Sequence, residues 1–237
     1  MIFSYLKKSV IVPLRLYSLT LGENQVKGVE KCPEYIDLCH KFQEFPIEAE
    51  KVIESMKVYR NFLSLDEEKS ILEEIEPYMS KLKYEFDHWD DAIHGYRETE
   101  RLKWNNENAK ILNRVREIAF PSNVPQIKYV HILDLAKDGY IKPHIDAIRF
   151  CGNTIAGLSL LSDSVMRLVH DKDKSLYADI FLERRSLYIM TNTSRYDFTH
   201  EILSNENSRF KDRNVQKCRR LSVICRNEPT KENKGPS

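Results

Sequence analysis

The chain has 237 residues, 41% of them hydrophobic, and its 37 lysines and arginines against 36 aspartates and glutamates give a formal net charge of +1. That length fits one domain with short terminal segments, and the apolar share suffices for a packed core. Balanced charge excludes the basic excess of a dedicated nucleic-acid binder. Five cysteines (Cys32, Cys39, Cys151, Cys218, Cys225), odd in number and without paired zinc spacing, fit a reducing compartment and no disulfide framework.

Residues 1–22 carry Lys7, Lys8, Arg15 and several large apolar residues, and the first acid is Glu23. This is the composition of a mitochondrial transit peptide. Lysines and Pro13 interrupt the apolar run, so no membrane span is expected there, and no long apolar run occurs elsewhere. Residues 23–57 read as an N-terminal extension, helical in pattern from Ile47 to Met56. Val58–Leu63 predicts a short strand, and Ser64 with Glu67 a capping box opening a helix striped by Ile71, Leu72, Ile75 and Met79. A second helix is predicted near Glu107–Ala119, ended by Pro121. From Gln126 onward the apolar runs shorten to strand length: Lys128–Leu135, Thr154–Leu161, Val165–Val169, Tyr177–Phe181, Ser186–Met190 and Leu221–Cys225. Turn signals at Lys137-Asp138-Gly139, Ser162-Asp163-Ser164 and Asp171–Lys174 separate several of them. Helices first and strands later predict a mainly β fold of two sheets buttressed by N-terminal helices. Residues 227–237 are polar, contain two prolines and read as a disordered tail.

Two constellations carry chemistry. His144 and Asp146 lie two apart in the strand-like segment Gly139–Asp146, which puts both on one face. His200 follows 54 residues after Asp146, inside Arg195–Ile202. Two imidazoles and a carboxylate on one side of a metal form the ligand set of a non-haem Fe(II) oxygenase. The bland reading is that a motif this short arises among surface polar residues. The second constellation is Arg220-Leu221-Ser222-Val223-Ile224-Cys225-Arg226. Its arginines are six residues apart, so both share a face with Ser222, and their donor forks match carboxylates. Solvated arginines on an edge strand are the alternative, which the upstream His-x-Asp…His disfavours.

These residues, with Asp90–Glu100, Thr154–Leu161, Met166–Leu168 and Ser186–Ile189, resemble the AlkB family of 2-oxoglutarate/Fe(II) dioxygenases over 58–226, most nearly its mitochondrial branch. The resemblance implies a double-stranded β-helix (jelly roll, cupin-like) with iron in the barrel mouth. It implies Fe(II) on His144, Asp146 and His200, and 2-oxoglutarate and O2 as co-substrates. Arg220, Leu221, Ser222, Arg226 and Tyr188 would hold the 2-oxoglutarate. Tyr188 reads nearly as well as a core tyrosine. Also implied are a monomer in the mitochondrial matrix, a protein side chain or small metabolite as substrate, and a role in fatty-acid metabolism and regulated necrotic cell death. N-methylated bases of mitochondrial RNA are the alternative substrate.

Two departures bear on substrate. Nucleic-acid-demethylating members carry an Asn-x-Tyr pair about ten residues before His-x-Asp. Leu133 and Leu135 stand there in this chain, with His131 on the same face. The stretch Tyr84–Asp91 replaces a basic lid and holds four acids in eight residues. Trp89, His94, Tyr96 and Arg97 are candidate substrate contacts, and Arg97, Arg101 and Lys103 could hold phosphate. Acids at that density repel a phosphate backbone, so duplex DNA is not expected.

Overall fold

Strand alternation divides this chain into an inner cavity and a helix-covered outer face. The structure, a computed structural model, describes residues 32–86 and 92–230. The transit-peptide segment, Trp89 and residues 231–237 of the tail lie outside the described residues.

Twelve strands occur among the described residues. They are β1 (Ile36–Leu38), β2 (Met56–Tyr59), β3 (Ile93–Arg101), β4 (Val130–His144), β5 (Thr154–Leu160), β6 (Ser164–His170), β7 (Tyr177–Leu182), β8 (Ser186–Thr191), β9 (Phe198–Ile202), β10 (Arg209–Phe210), β11 (Arg213–Asn214) and β12 (Arg220–Arg226). The main sheet runs β1-β7-β6-β9-β4-β12-β5-β8-β2, every pairing antiparallel, with β3 on β4. The long β4 joins its two halves. Its first part pairs with β12 and its last part, through Ile141 and His144, with β9, while β3 accompanies it from Val130 to Ile141. The strand thereby passes from one layer to the other, and the result is the double-stranded β-helix the resemblance implies.

The turn expected at Lys137-Asp138-Gly139 does not form; β4 runs through it. A Cβ on Gly139 would sit 2.4 Å from the Gly95 carbonyl oxygen, so the missing side chain lets β3 and β4 close together. Gly95 itself takes φ +63, a conformation glycine adopts without steric cost, at the register shift between His94 and Tyr96.

Among the described residues four α-helices and a 3-10 helix (His40–Glu44) accompany the strands: α1 (Pro46–Ser55), α2 (Leu65–Met79), α3 (Asn106–Ala119) and the short α4 (Asn192–Tyr196). Ser64 caps α2 reciprocally with Glu67, and Asn105 caps α3 through the Asn108 amide. Ile71, Ile75 and Met79 of α2, with Ile111, Leu112 and Val115 of α3, cover one face of the β12-β5-β8 layer. Leu221, Val223 and Cys225 turn to that side, as do Ala156, Leu158, Leu160, Leu187 and Ile189. The other parity (Leu133, Ile155, Tyr188, Met190, Ile224) packs with Met166, Leu168, Ile180, Phe198 and Ile202 of the opposite layer. A strand with both faces occupied reads as a continuous apolar run, which is why β5 is buried throughout.

From Ile36 on, the segment read as an extension is woven into the sheet, β1 on β7 and β2 on β8. Asn227, placed in the tail by its polarity, is buried. Its side-chain oxygen accepts from the Thr154 amide at 2.7 Å.

Candidate metal centre

His144 ends β4 and His200 lies in β9, and the two are direct register partners across the antiparallel pair. Adjacent strands bring paired side chains close, and the ring centroids stand 4.3 Å apart. Asp146, two residues past the strand end, completes the group. Its Oδ1 is 3.3 Å from His144 Nε2 and 3.8 Å from His200 Nε2, and one ligand atom from each residue lies within 4.8 Å of the others.

His144 Nδ1 donates to the Lys142 carbonyl at 2.9 Å, which leaves the lone pair on Nε2. Burial, assisted by neighbouring His144, pushes the His200 imidazole down to about 3, so it is neutral near pH 7. Burial alone would raise Asp146, but His144, Arg226 and His200 outweigh it and hold the carboxyl well below its usual range. Two imidazoles and one carboxylate, all intermediate in burial, fit a divalent iron with an open side.

A cavity of about 450 Å³ opens on this trio, lined also by Arg220, Ser222, Ile224, Arg226 and Tyr188. Arg220 is 1% exposed, and its Nε and Nη2 have no partner; nor does the Ser222 hydroxyl. A buried guanidinium without a counter-charge is costly. Its unbonded N–H groups are the donor set of a carboxylate receptor. Arg226 is placed differently: its Nε donates to Asp146 Oδ2 at 3.2 Å and its Nη1 to His131 Nδ1 at 3.1 Å. With Nδ1 accepting, His131 Nε2–H donates to Glu98 Oε2 at 2.8 Å. The chain Glu98–His131–Arg226–Asp146 therefore leads from the cavity rim to the metal ligand.

Tyr188 lies across Gly157, its register partner on β5. A Cβ there would meet the ring at 2.4 Å, so only glycine admits the tyrosine in this pose. Burial raises the Tyr188 phenol, which keeps its proton for donation.

Leu221 is corrected. It is fully buried under the helices and does not line the cavity, because alternation sends it to the opposite face from Arg220 and Ser222. The cavity wall expected from Leu133 and Leu135 is made instead by His131 and Leu133, with Leu135 in the core behind. Arg97, a candidate for substrate or phosphate, is 9% exposed and bonds Asp134 at 2.8 Å. Tyr96 is buried with its hydroxyl on Glu85, and His94 stacks on Tyr140. None of the three lines the cavity. Cys151, Glu98, Glu100, Tyr129, Arg149 and Phe150 do, and nothing in their sequence neighbourhood marks them beyond the closeness of 147–151 to His-x-Asp.

No family model matches the chain. It is 51% identical over 175 residues to a Bos taurus protein described as alpha-ketoglutarate-dependent dioxygenase alkB homolog 7, mitochondrial, covering 74% of this chain and 78% of the relative. The Mus musculus protein of the same description is 50% identical over 179 residues, 76% of this chain and 80% of the relative. Among solved structures, OsALKBH1 aligns with a TM-score of 0.54 at 13% identity, over 73% of this chain and 97% of that one. At that identity it shares the fold.

Proposed function

The chain belongs to the family of the mitochondrial alkB homologue 7 proteins, alpha-ketoglutarate (2-oxoglutarate)-dependent dioxygenases with a His-x-Asp…His iron triad, and from that premise we propose that it hydroxylates a protein side chain or small metabolite in the mitochondrial matrix, with 2-oxoglutarate held by Arg220, Ser222, Tyr188 and Arg226. The observation that carries the pocket is the buried, unbonded guanidinium of Arg220 lining the same cavity as the iron ligands.

Bound there, Fe(II) with 2-oxoglutarate and O2 supplies decarboxylation to succinate and CO2 coupled to insertion of one oxygen atom into a substrate C–H bond. The protein's own part is orientation and exclusion. Arg220 and Ser222 donate to the carboxylate remote from the metal, and Tyr188 adds a phenolic donor where Leu133 can give none. Arg226 occupies Asp146 Oδ2 and leaves Oδ1 facing the two imidazoles. Leu133, Ile155, Met166, Ile202 and Ile224 keep the wall between these poles apolar, which strengthens each polar contact by excluding water.

The rim supports the choice of substrate. Glu98 and Glu100 stand at the opening and Arg97 is locked in an internal ion pair, so the opening disfavours a phosphate backbone. Demethylation of N-methylated bases in mitochondrial RNA is the second reading. It is favoured by half-exposed Tyr129 and by Phe150, 62% exposed with Arg149 over its ring, which could stack on a base. Succinate release by the iron-loaded protein, challenged in parallel with mitochondrial protein extract, its small-molecule fraction and methylated RNA, separates the two. Stimulation by either of the first two is expected; stimulation by RNA alone would overturn this reading.

A further inference from the structure

Cys151, on the wall of the iron cavity, and Arg195, buried outside its lining, form a second pair that the reaction above does not use. Cys151 is 2% exposed and lines the cavity, with its thiol 3.9 Å from Asp146 Oδ2. Arg195, 44 residues away in sequence, is 0% exposed and reaches it from α4, Nη2 to Sγ at 3.2 Å. A neutral thiol is a poor acceptor for a guanidinium. The rest of Arg195 is worse served: Nε and Nη1 have no partner, and no carboxylate among the described residues pairs with it. The guanidinium lies over the Tyr196 ring at 4.9 Å, but a buried cation with two unbonded N–H groups and only a thiol as acceptor is costly as it stands. It becomes a matched site once that sulfur carries oxygen, because each added oxygen is an acceptor and a sulfinate brings the missing negative charge.

We propose that Cys151 is a self-oxidation site: 2-oxoglutarate turnover without a substrate in the cavity oxidises its thiol to the sulfenic and then the sulfinic acid, and Arg195 receives the sulfinate. In the first step the S–H bond becomes S–O–H. One atom of O2 enters the thiol, the other enters succinate, and 2-oxoglutarate loses CO2; the thiol gives up two electrons and the keto acid two, the four that reduce O2. A second equivalent of each co-substrate repeats this on sulfur, and the sulfinic proton passes to solvent. The sulfinate then holds Arg195, and its negative charge replaces the S–H group beside Asp146, which silences a centre that lacks substrate. Ordinary oxidation follows thiol exposure and would favour exposed Cys218, whereas Cys225 is buried on the helix side, away from the cavity. The inference rests on the family's 2-oxoglutarate chemistry and not on the substrate proposed above.

Peptide mass spectrometry on the full-length protein tests it, after incubation with Fe(II), 2-oxoglutarate and air but no substrate. Expected is a gain of one and then two oxygen atoms on Cys151, well ahead of Cys218, and absent when 2-oxoglutarate is omitted. Arg195→Lys should retain part of the two-oxygen product and Arg195→Leu should stop at the one-oxygen stage, trapped by a sulfenic-acid reagent. Cys151→Ala should lose activity more slowly during the same preincubation, which covers the case of a misfolded Arg195 variant. Succinate is measured in the same tubes. Succinate without Cys151 oxidation, or oxidation equal with and without 2-oxoglutarate, overturns the proposal and leaves the dioxygenase standing; no succinate at all overturns both.

Discussion

His144 and His200 are cross-strand register partners, and Asp146 reaches their shared face from just beyond the end of β4. The two histidines depend on one another through that pairing. A slip of β9 by one residue would turn His200 away and bring Thr199 or Glu201 to face the site.

His200 makes stability depend on pH in the metal-free protein. Its folded value of about 3 lies below the usual 6.5, so the unfolded chain binds a proton below pH 6.5 that the folded chain refuses. The penalty is absent above pH 6.5 and grows as pH falls toward 3. Asp146, held well below its usual range, adds a loss in the same direction only below about pH 4. Urea unfolding at pH 7 and pH 5 should show a drop of roughly 1–2 kcal/mol for the wild type over that interval, about 1.4 per unit while one group titrates. His200→Asn should flatten it. An equal drop in both proteins would locate the dependence elsewhere.

Gly157→Ala should disturb the proposed 2-oxoglutarate pocket without touching the metal ligands. The added methyl meets the Tyr188 ring, and overpacking of this kind costs about 1–3 kcal/mol. Calorimetry with the Mn(II)-loaded variant should find the metal retained and 2-oxoglutarate weakened several-fold; Tyr188→Phe should weaken it less. Unchanged 2-oxoglutarate affinity in Gly157→Ala would mean that the ring pose is irrelevant to binding.

Asp134 of β4, 0% exposed, holds Arg97 at 2.8 Å and Arg219 at 2.7 Å. Asp134→Ala removes the shared counter-charge of two arginines, and Arg219 keeps only Glu76 at 2.9 Å. Breaking such a pair costs about 3–5 kcal/mol. The thermal midpoint should fall by several degrees, and Arg97→Met added to Asp134→Ala should recover part of it. A midpoint unchanged by Asp134→Ala would show that the pair contributes nothing net.

His131→Phe should act through Arg226. Losing its acceptor frees the guanidinium to leave Asp146, so Mn(II) affinity should fall while the fold, followed by circular dichroism, stays intact. Metal affinity equal to wild type would show that Asp146 alone fixes Arg226.

Much of this fold was legible because its strands are apolar runs bounded by turn residues, as in β5, β6, β7 and β8, and because Ser64 and Glu67 announce α2. β3 was not, since His94–Arg101 is polar and its burial depends on Asp134, thirty-odd residues away. The turn expected at Lys137-Asp138-Gly139 failed because Gly139 there serves a close strand approach. Alternation anticipates that Arg220, Ser222 and Arg226 share one face, and the His-x-Asp…His order anticipates the grouping of His144, Asp146 and His200. Leu221 was misplaced against that same alternation, which assigns it to the helices. Cys151 with Arg195, and Glu98 with His131, join across long sequence separations that no local pattern reveals.

The carboxylate receptor at Arg220 is the central claim, and calorimetric titration of 2-oxoglutarate into Mn(II)-loaded Arg220→Lys tests it most directly. Lysine keeps the charge but loses the planar two-point contact. A lost charge-assisted bond in this buried pocket is worth roughly 1.5–3 kcal/mol, so affinity should fall about ten- to a hundred-fold with Mn(II) still bound. Affinity within about twofold of wild type, well under 0.5 kcal/mol, would contradict it.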